Sequence, residues 1–310
     1  MCTTEKYLCL LFSSVSLFFW SCSSKHGQIE NLLIKGSDTE VNLALSLAET
    51  YMMEDLSISI SVSGGGSGAG IAALINGKTN IANASRPMKA EEFLLAQERG
   101  VNPLSTVLGM DAIAIVVHPQ CPIKELSKQD LGAIYRGKIH NWKQLGGQDQ
   151  EISLYGRQSN SGTFVYFRDS VLQAEYSPKV KQMNGTAQIV EAIKTDAAGI
   201  GYVGVGYILE KNGSAAKGIK VLAIKSNDHT PAYSPTLLEN IQQGNYPIIR
   251  PLFQYTDGKP KGKLLHFLRY CLSEEGQALV QQNGYFPVSK MYREQNELAL
   301  TPTYAKSSLH

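Results

Sequence analysis

The sequence predicts an α/β protein built as two lobes, joined by two crossing strands, with a ligand cleft between them. Three observations carry that expectation. From residue 31 onward, short apolar runs alternate with amphipathic helical stretches, the pattern of strands and helices on a parallel sheet. The alternation comes in two series. Two long strand-like stretches, near 111–118 and 248–256, stand between and after those series, as a double crossing requires.

The elements follow in order. NLLIKG (31–36) reads as a buried strand and VNLALSLAETYMM (41–53) as an amphipathic helix. SISISV (57–62) alternates as a strand, Gly64 to Gly70 is a glycine turn, and IAALING continues as a helix. TNIANAS (79–85) is a third strand and 89–99 a helix; DAIAIVVHP (111–119) is a long β-branched strand beginning at Asp111. The second series has a helix at 127–135, strand 151–156, helices 162–172 and 186–195, and strands 199–204 and 219–224. YPIIRPLFQYT (246–256) is strand-like, with Pro247 and Pro251 marking an edge or crossing segment. Helices at 262–272 and 274–282 close the fold, and the residues after about 290 read as a polar tail.

The 310 residues carry 29 Lys and Arg against 27 Asp and Glu, a net charge of +2, so a nucleic-acid partner is not expected. Any anion must be caught by local geometry. Lys6, the apolar run YLCLLFSSVSLFFW (7–20) and Ser21 have the order of a secretory signal, and the run is too short for a typical spanning helix. Cys2 and Cys9 lie inside that segment. Cys121 and Cys271 are too few for a disulfide framework, and they are read either as two buried thiols or as one bridge. No cysteine–histidine cluster suggests a metal. The expected divisions are a signal peptide over 1–21, a linker over 22–30, lobe 1 over 31–110 with 251–290, lobe 2 over 111–250 and a tail over 291–310.

Four loops carry the chemistry. Gly36-Ser37-Asp38-Thr39 precedes a helix, where Ser, Asp and Thr also serve as caps. In the glycine turn 64–70, backbone N–H groups can converge on an anion at the start of a helix, beside Ser67. Gly64, Gly66 and Ala69 also match a dinucleotide-binding turn, but the acidic ribose contact is absent and an export signal argues against a diffusible nicotinamide cofactor. No cofactor is expected. Ser85-Arg86-Pro87 follows the third strand, and the proline holds Arg86 extended. Last, Arg157 to Phe164 pairs a guanidinium fork with Ser161-Gly162-Thr163 at a helix start. Two donor-rich sites, one per lobe, point to an oxyanion.

Taken together, these stretches resemble the bacterial phosphate-binding protein of the phosphate ABC importer, over about residues 31 to 290. The resemblance rests on GSDT (36–39), SGGGSGAGIAALINGKTNIANASRPMKAEE (63–92), DAIAIVVHP (111–119), IYRGKIHNWKQLGG (134–147), the Arg157 to Thr163 segment, GIGYVG (199–204) and LSEEGQALVQQNGYFPV (272–288). It implies the type II periplasmic-binding-protein fold, hinge closure on one phosphate, and contacts from Thr39, Ser67, Arg157, Ser161, Gly162 and Thr163, with Ser85 and Arg86 as candidates. Some members carry an Asp in the third loop that accepts the proton of the phosphate. Here Arg86 follows Ser85, so Asp38 and Asp111 are the candidate acceptors. Phe19-Trp20-Ser21-Cys22 resembles a lipobox, with Cys22 as the lipid site and the aromatic pair as a departure. The implied partners are inorganic phosphate, an importer's permease and, through the lipid, a bacterial membrane, with the protein on the periplasmic or cell-surface side. A monomer without catalysis is expected. The alternatives are an exported enzyme acting on a phosphorylated substrate, or a binder of another oxyanion.

Overall fold

The computed structural model describes residues 29–210 and 214–301. The signal segment, the linker up to residue 28, Cys22 and the end of the tail lie outside the described residues. The strands of the first lobe are β1 (Glu30–Gly36), β2 (Ile58–Ser63) and β3 (Ile81–Ala84); its helices are α1 (Val41–Glu54), α2 (Ser67–Ile75) and α3 (Ala90–Glu98). Then β4 (Pro103–Val117) crosses over. The second lobe holds β5 (Glu125–Ser127), α4 (Lys128–Tyr135), β6 (Ser153–Arg157), α5 (Gly162–Phe167), β7 (Lys181–Met183), α6 (Thr186–Thr195), β8 (Gly199–Gly204), β9 (Lys220–Lys225) and α7 (Leu238–Gln242). β10 (Ile249–Asp257) crosses back, followed by α8 (Gly262–Leu272), α9 (Glu274–Gln282) and α10 (Lys290–Leu300).

The strand order is β2-β1-β3-β10-β4-β8-β6-β7, with β9 pairing to β4 and β5 to β9. β1 is parallel to β2 and β3, and β6 is parallel to β7 and β8; β4 and β10 run antiparallel between these two parallel groups. β4 is longer than expected, starting at Pro103, so Asp111 lies within the crossing and not at its start. Its first half pairs with β10, and its second half pairs with β8 and β9. The run Ala112 to Val117 is fully buried because both its faces are covered.

Each lobe has its own core. In the first, Leu43, Leu47 and Tyr51 form the buried stripe of α1 and pack with Leu32, Ile34, Phe267 and Leu268. On the opposite side Ile71 and Leu74 of α2 meet Ala82, Ala84 and Tyr255. The second core surrounds Ile113, Ile115, Tyr135, Phe167, Ile200 and Tyr202. Cys121 belongs to this second core and Cys271 to the first; both are free, which settles the question of a bridge between them.

Some segments differ from the sequence reading. α2 begins at Ser67, so Gly68 and Gly70 are helical. The helix expected over 162–172 is an α-helix to Phe167 that widens into a π-turn over Arg168–Leu172. Residues 290–300 are not a loose tail. Asn296 of α10 is buried against β4, accepting from the Val107 N–H at 2.8 Å and donating to its carbonyl at 2.9 Å. That pair satisfies backbone groups a strand edge would otherwise leave open. No helix among the described residues is long and apolar enough to cross a membrane.

Candidate functional site

The loops after β1, β3 and β6 and the start of α2 meet between the lobes. Thr39 sits in a single 3-10 turn between β1 and α1, 1% exposed. Its hydroxyl lies 3.0 Å from that of Thr163, on the second residue of α5 in the other lobe. Ser67 opens α2, and its hydroxyl accepts the Ser85 N–H at 3.0 Å and lies 3.4 Å from the Ser85 hydroxyl. Ser37 donates to that same hydroxyl at 3.1 Å. From the facing lobe Gly162 comes so close that a Cβ there would collide with the hydroxyls of Ser67 and Ser85. Ser161 caps α5, accepting from the Thr163 N–H at 3.2 Å. The structure thus brings Thr39, Ser67, Ser85, Ser161, Gly162 and Thr163 into one buried ring of neutral donors.

Two guanidinium groups flank the ring. Arg157, at the end of β6, bonds the Thr186 hydroxyl at 2.9 Å, the carbonyls of Met183 and Asn184, and the Asp38 carboxylate at 2.5 Å. Its backbone N–H donates to the Tyr202 hydroxyl at 3.1 Å, and Tyr202 stacks on Phe167, so an aromatic cluster fixes the loop from behind. The second is Arg250 of β10, which sequence reasoning missed. It reaches the hydroxyls of Thr39 at 3.3 Å and Thr163 at 3.0 Å, thus touching both lobes, and also the Ser85 carbonyl at 3.1 Å. Directly opposite it on β4, Asp111 accepts from Arg250 at 2.8 and 3.0 Å and from the Val205 N–H at 3.2 Å. Two phenols hold the first loop: Tyr207 donates to the Asp38 carbonyl and Tyr285 to that of Thr39.

Three expectations change here. Arg86 is not turned into the ring. Its fork binds Glu92 at 2.6 and 2.7 Å and the Pro87 carbonyl at 2.8 Å, because Glu92 sits in the first turn of the adjoining α3. Three N–H groups of the glycine turn are already engaged. Gly65 N–H goes to Asp38 at 3.1 Å, Gly66 N–H to the Gly36 carbonyl at 2.9 Å and Gly68 N–H to the Asn160 carbonyl at 3.0 Å. The two candidate acceptors also separate. Asp111 is fully buried and committed to Arg250 and Val205, whereas the Asp38 side chain keeps 19% exposure beside Arg157. Among the described residues, the hydrogen bonds of the Ser67 hydroxyl all run to Ser85. No group of three or more His, Cys, Asp or Glu among the described residues could hold a metal.

Burial pushes the Asp111 carboxyl upward, with Arg250 pulling it back. Burial raises Glu40 well above the usual carboxylate range. Glu40 is 0% exposed and neither of its carboxylate oxygens has a hydrogen-bond partner among the described residues; the nearby Ser37 hydroxyl favours the ionised form but is geometrically committed to Ser85. A carboxyl whose folded pKa lies above its unfolded value of 4.5 gives full stability below that value and loses it as pH rises through the folded pKa. We therefore expect Glu40→Gln to flatten the fall in unfolding free energy as pH rises above 4.5. Chemical denaturation across that range checks this, and an unchanged pH slope would contradict a buried, protonated Glu40.

Comparison with known proteins shows the family. Residues 23–275 match the PBP superfamily domain. The phosphate-binding protein PstS of Pseudomonas aeruginosa is 31% identical over 276 residues, covering 83% of each chain. That of Bacillus subtilis is 33% identical over 263 residues, covering 84% of this chain and 82% of the relative. A putative phosphate ABC transporter substrate-binding protein with bound phosphate from Clostridium perfringens superposes with a TM-score of 0.73 at 26% identity, over 84% of this chain and 100% of that one. Two lobes around a donor-lined cleft, and this likeness over most of the length, place the chain in the PstS family of phosphate-binding proteins, within the PBP superfamily.

Proposed function

We propose that this protein is the exported phosphate receptor of an ABC importer, without catalysis, binding inorganic phosphate between its lobes and delivering it to a membrane permease. The observation that carries the reading is the buried ring of hydroxyls closed across the cleft by the Thr39–Thr163 pair and by Gly162 against Ser67 and Ser85. A buried dianion needs nearly every lone pair satisfied, and such hydroxyls can rotate their protons toward it. Donors from both lobes mean that closing adds contacts the open form lacks, so ligand shifts the population toward closure. The relatives carry the same reading, since their names describe phosphate binding and one is described with bound phosphate.

The proposed contacts are Thr39, Ser67, Ser85, Arg157, Ser161, Gly162 and Thr163. Arg86 leaves that set, and Arg250 enters as the group that holds Thr39 and Thr163. Asp38 is the proposed acceptor of the phosphate proton, because its side chain keeps 19% exposure beside Arg157 whereas Asp111 is fully buried in its pair with Arg250. A carboxylate there meets a proton on hydrogen phosphate and a lone pair on sulfate, which rejects the second. The lobe divisions at 110/111 and 250/251, monomeric state and lipidation at Cys22 complete the proposal.

Phosphate is expected to raise the melting temperature of ligand-stripped protein saturably, by about 2.7 kcal/mol of stabilisation at a hundredfold excess over Kd. Sulfate and molybdate are expected to compete poorly and arsenate well. No shift with phosphate would end the proposal, and equal competition by sulfate would end the role given to Asp38.

A further inference from the structure

Asn160 stands exposed on the rim of the cleft, one residue before the Ser161 cap. Its side-chain amide donates to the Gly65 carbonyl at 3.0 Å, and its own carbonyl accepts the Gly68 N–H at 3.0 Å. One residue of the second lobe thus makes two hydrogen bonds to the glycine turn of the first. The fit depends on small residues. Gly66 has a φ of 94°, and a Cβ there would stand 3.0 Å from the Asn160 carbonyl oxygen and 3.1 Å from its Oδ1. A Cβ on Gly68 would stand 3.2 Å from the same carbonyl. A Cβ at either place would require Asn160 to give way by a few tenths of an ångström, which loosens its seat. Two other N–H groups of the turn serve their own lobe, Gly65 through Asp38 and Gly66 through Gly36. The turn is therefore shaped as a seat for Asn160.

We infer that Asn160 and the glycine turn form a latch between the lobes, separate from the hydroxyl ring, that sets how long a bound anion stays. The identity of the anion rests on the phosphate reading above; the latch itself does not. Its two halves sit on different lobes, so opening must break both bonds. A contact present only in the closed form raises the closed population and slows escape, while encounter with the open form is unaffected. Because the site is exposed, water replaces the lost bonds in part, and the expected effect is moderate.

The test uses the full-length, ligand-stripped protein and Asn160→Ala, which removes the amide while leaving a surface position that folding does not depend on. Stopped-flow measurement with phosphate and with arsenate should show dissociation faster by about 2- to 10-fold, by the same factor for both anions, with association faster only in proportion to the gain in open form. Unchanged dissociation, or a loss confined to one anion, would overturn the latch; the second result would mean that Asn160 reads the ligand. Spin-label distances between the lobes, measured without any anion, provide the independent arm. Asn160→Ala should shift that distribution to longer separations, and Gly66→Ala should do the same. Identical distributions would overturn the latch even if neither anion binds, whereas a wild-type chain that binds no phosphate but shows the shift would fail the phosphate reading alone.

Discussion

Alanine in place of Arg157 is expected to weaken phosphate binding by about 100-fold or more, since a charge-assisted, buried fork is among the strongest donors a protein offers. The sequence alone suggests that folding would be spared. The structure changes that part of the expectation. Arg157 is 1% exposed and ties the end of β6 to Met183, Asn184 and Thr186, so its loss leaves acceptors of the 183–186 segment unpaired. Ligand-free stability should drop by about 2–4 kcal/mol, read by urea unfolding. Asp38 would lose its cross-lobe partner as well, although its partial exposure lets water take up part of that charge. Arg157→Lys should recover some folding and little binding, because a single ammonium cannot span Thr186, Asn184 and Asp38 together. Wild-type affinity in Arg157→Ala, by calorimetric titration, would remove it from the site.

Arg250 carries the second large effect, and it acts chiefly on folding. Arg250→Met leaves Asp111 fully buried with its counter-charge gone, which is expected to cost about 3–5 kcal/mol. Replacing both partners, as Arg250→Met with Asp111→Leu, should return much of that loss, because a buried ion pair is often no better than packed apolar groups. The double variant should still bind phosphate poorly. Thr39 and Thr163 then lose the guanidinium that holds both hydroxyls in place across the cleft. Stability recovered together with full affinity would show that the pair only fills the hinge. A double variant as unstable as Arg250→Met would show that the pair itself holds the crossing strands.

Much of the site was legible because its chemistry lies in loops. Thr39, Ser67, Ser85, Ser161 and Thr163 each stand between a strand and a helix, where donor side chains and helix starts announce themselves in the sequence. Arg157 was visible for the same reason. Arg250 was hidden in an apolar run that reads as a strand; Asp111 was named as a candidate acceptor, but its pairing with Arg250 was not read. A signal was present: one arginine in YPIIRPLFQYT and one aspartate at the head of DAIAIVV are the ionic groups of those apolar runs, and antiparallel pairing of the crossing strands sets them opposite each other. Residue type misled in two places. Arg86 beside a proline looks poised for the cleft, but Glu92 is six residues away on the adjoining helix and takes both ends of its fork. The glycines look like an anion cradle, and the N–H groups of Gly65, Gly66 and Gly68 turn out to serve Asp38, Gly36 and Asn160. Which partner a glycine turn receives is decided by the other lobe, and no local pattern encodes that approach. The alternation of strands and helices was clear for the opposite reason, since burial of each sheet face writes its period into the chain.

The ring of hydroxyls between the lobes is the central claim, and a crystal structure of the full-length protein grown with phosphate tests it most directly. One phosphate is expected enclosed between the lobes, its oxygens within about 3 Å of the hydroxyls of Thr39, Ser67 and Thr163 and of the Arg157 guanidinium, with Asp38 facing the protonated oxygen. Phosphate bound outside that ring, or absent from a closed cleft at saturating concentration, would contradict it.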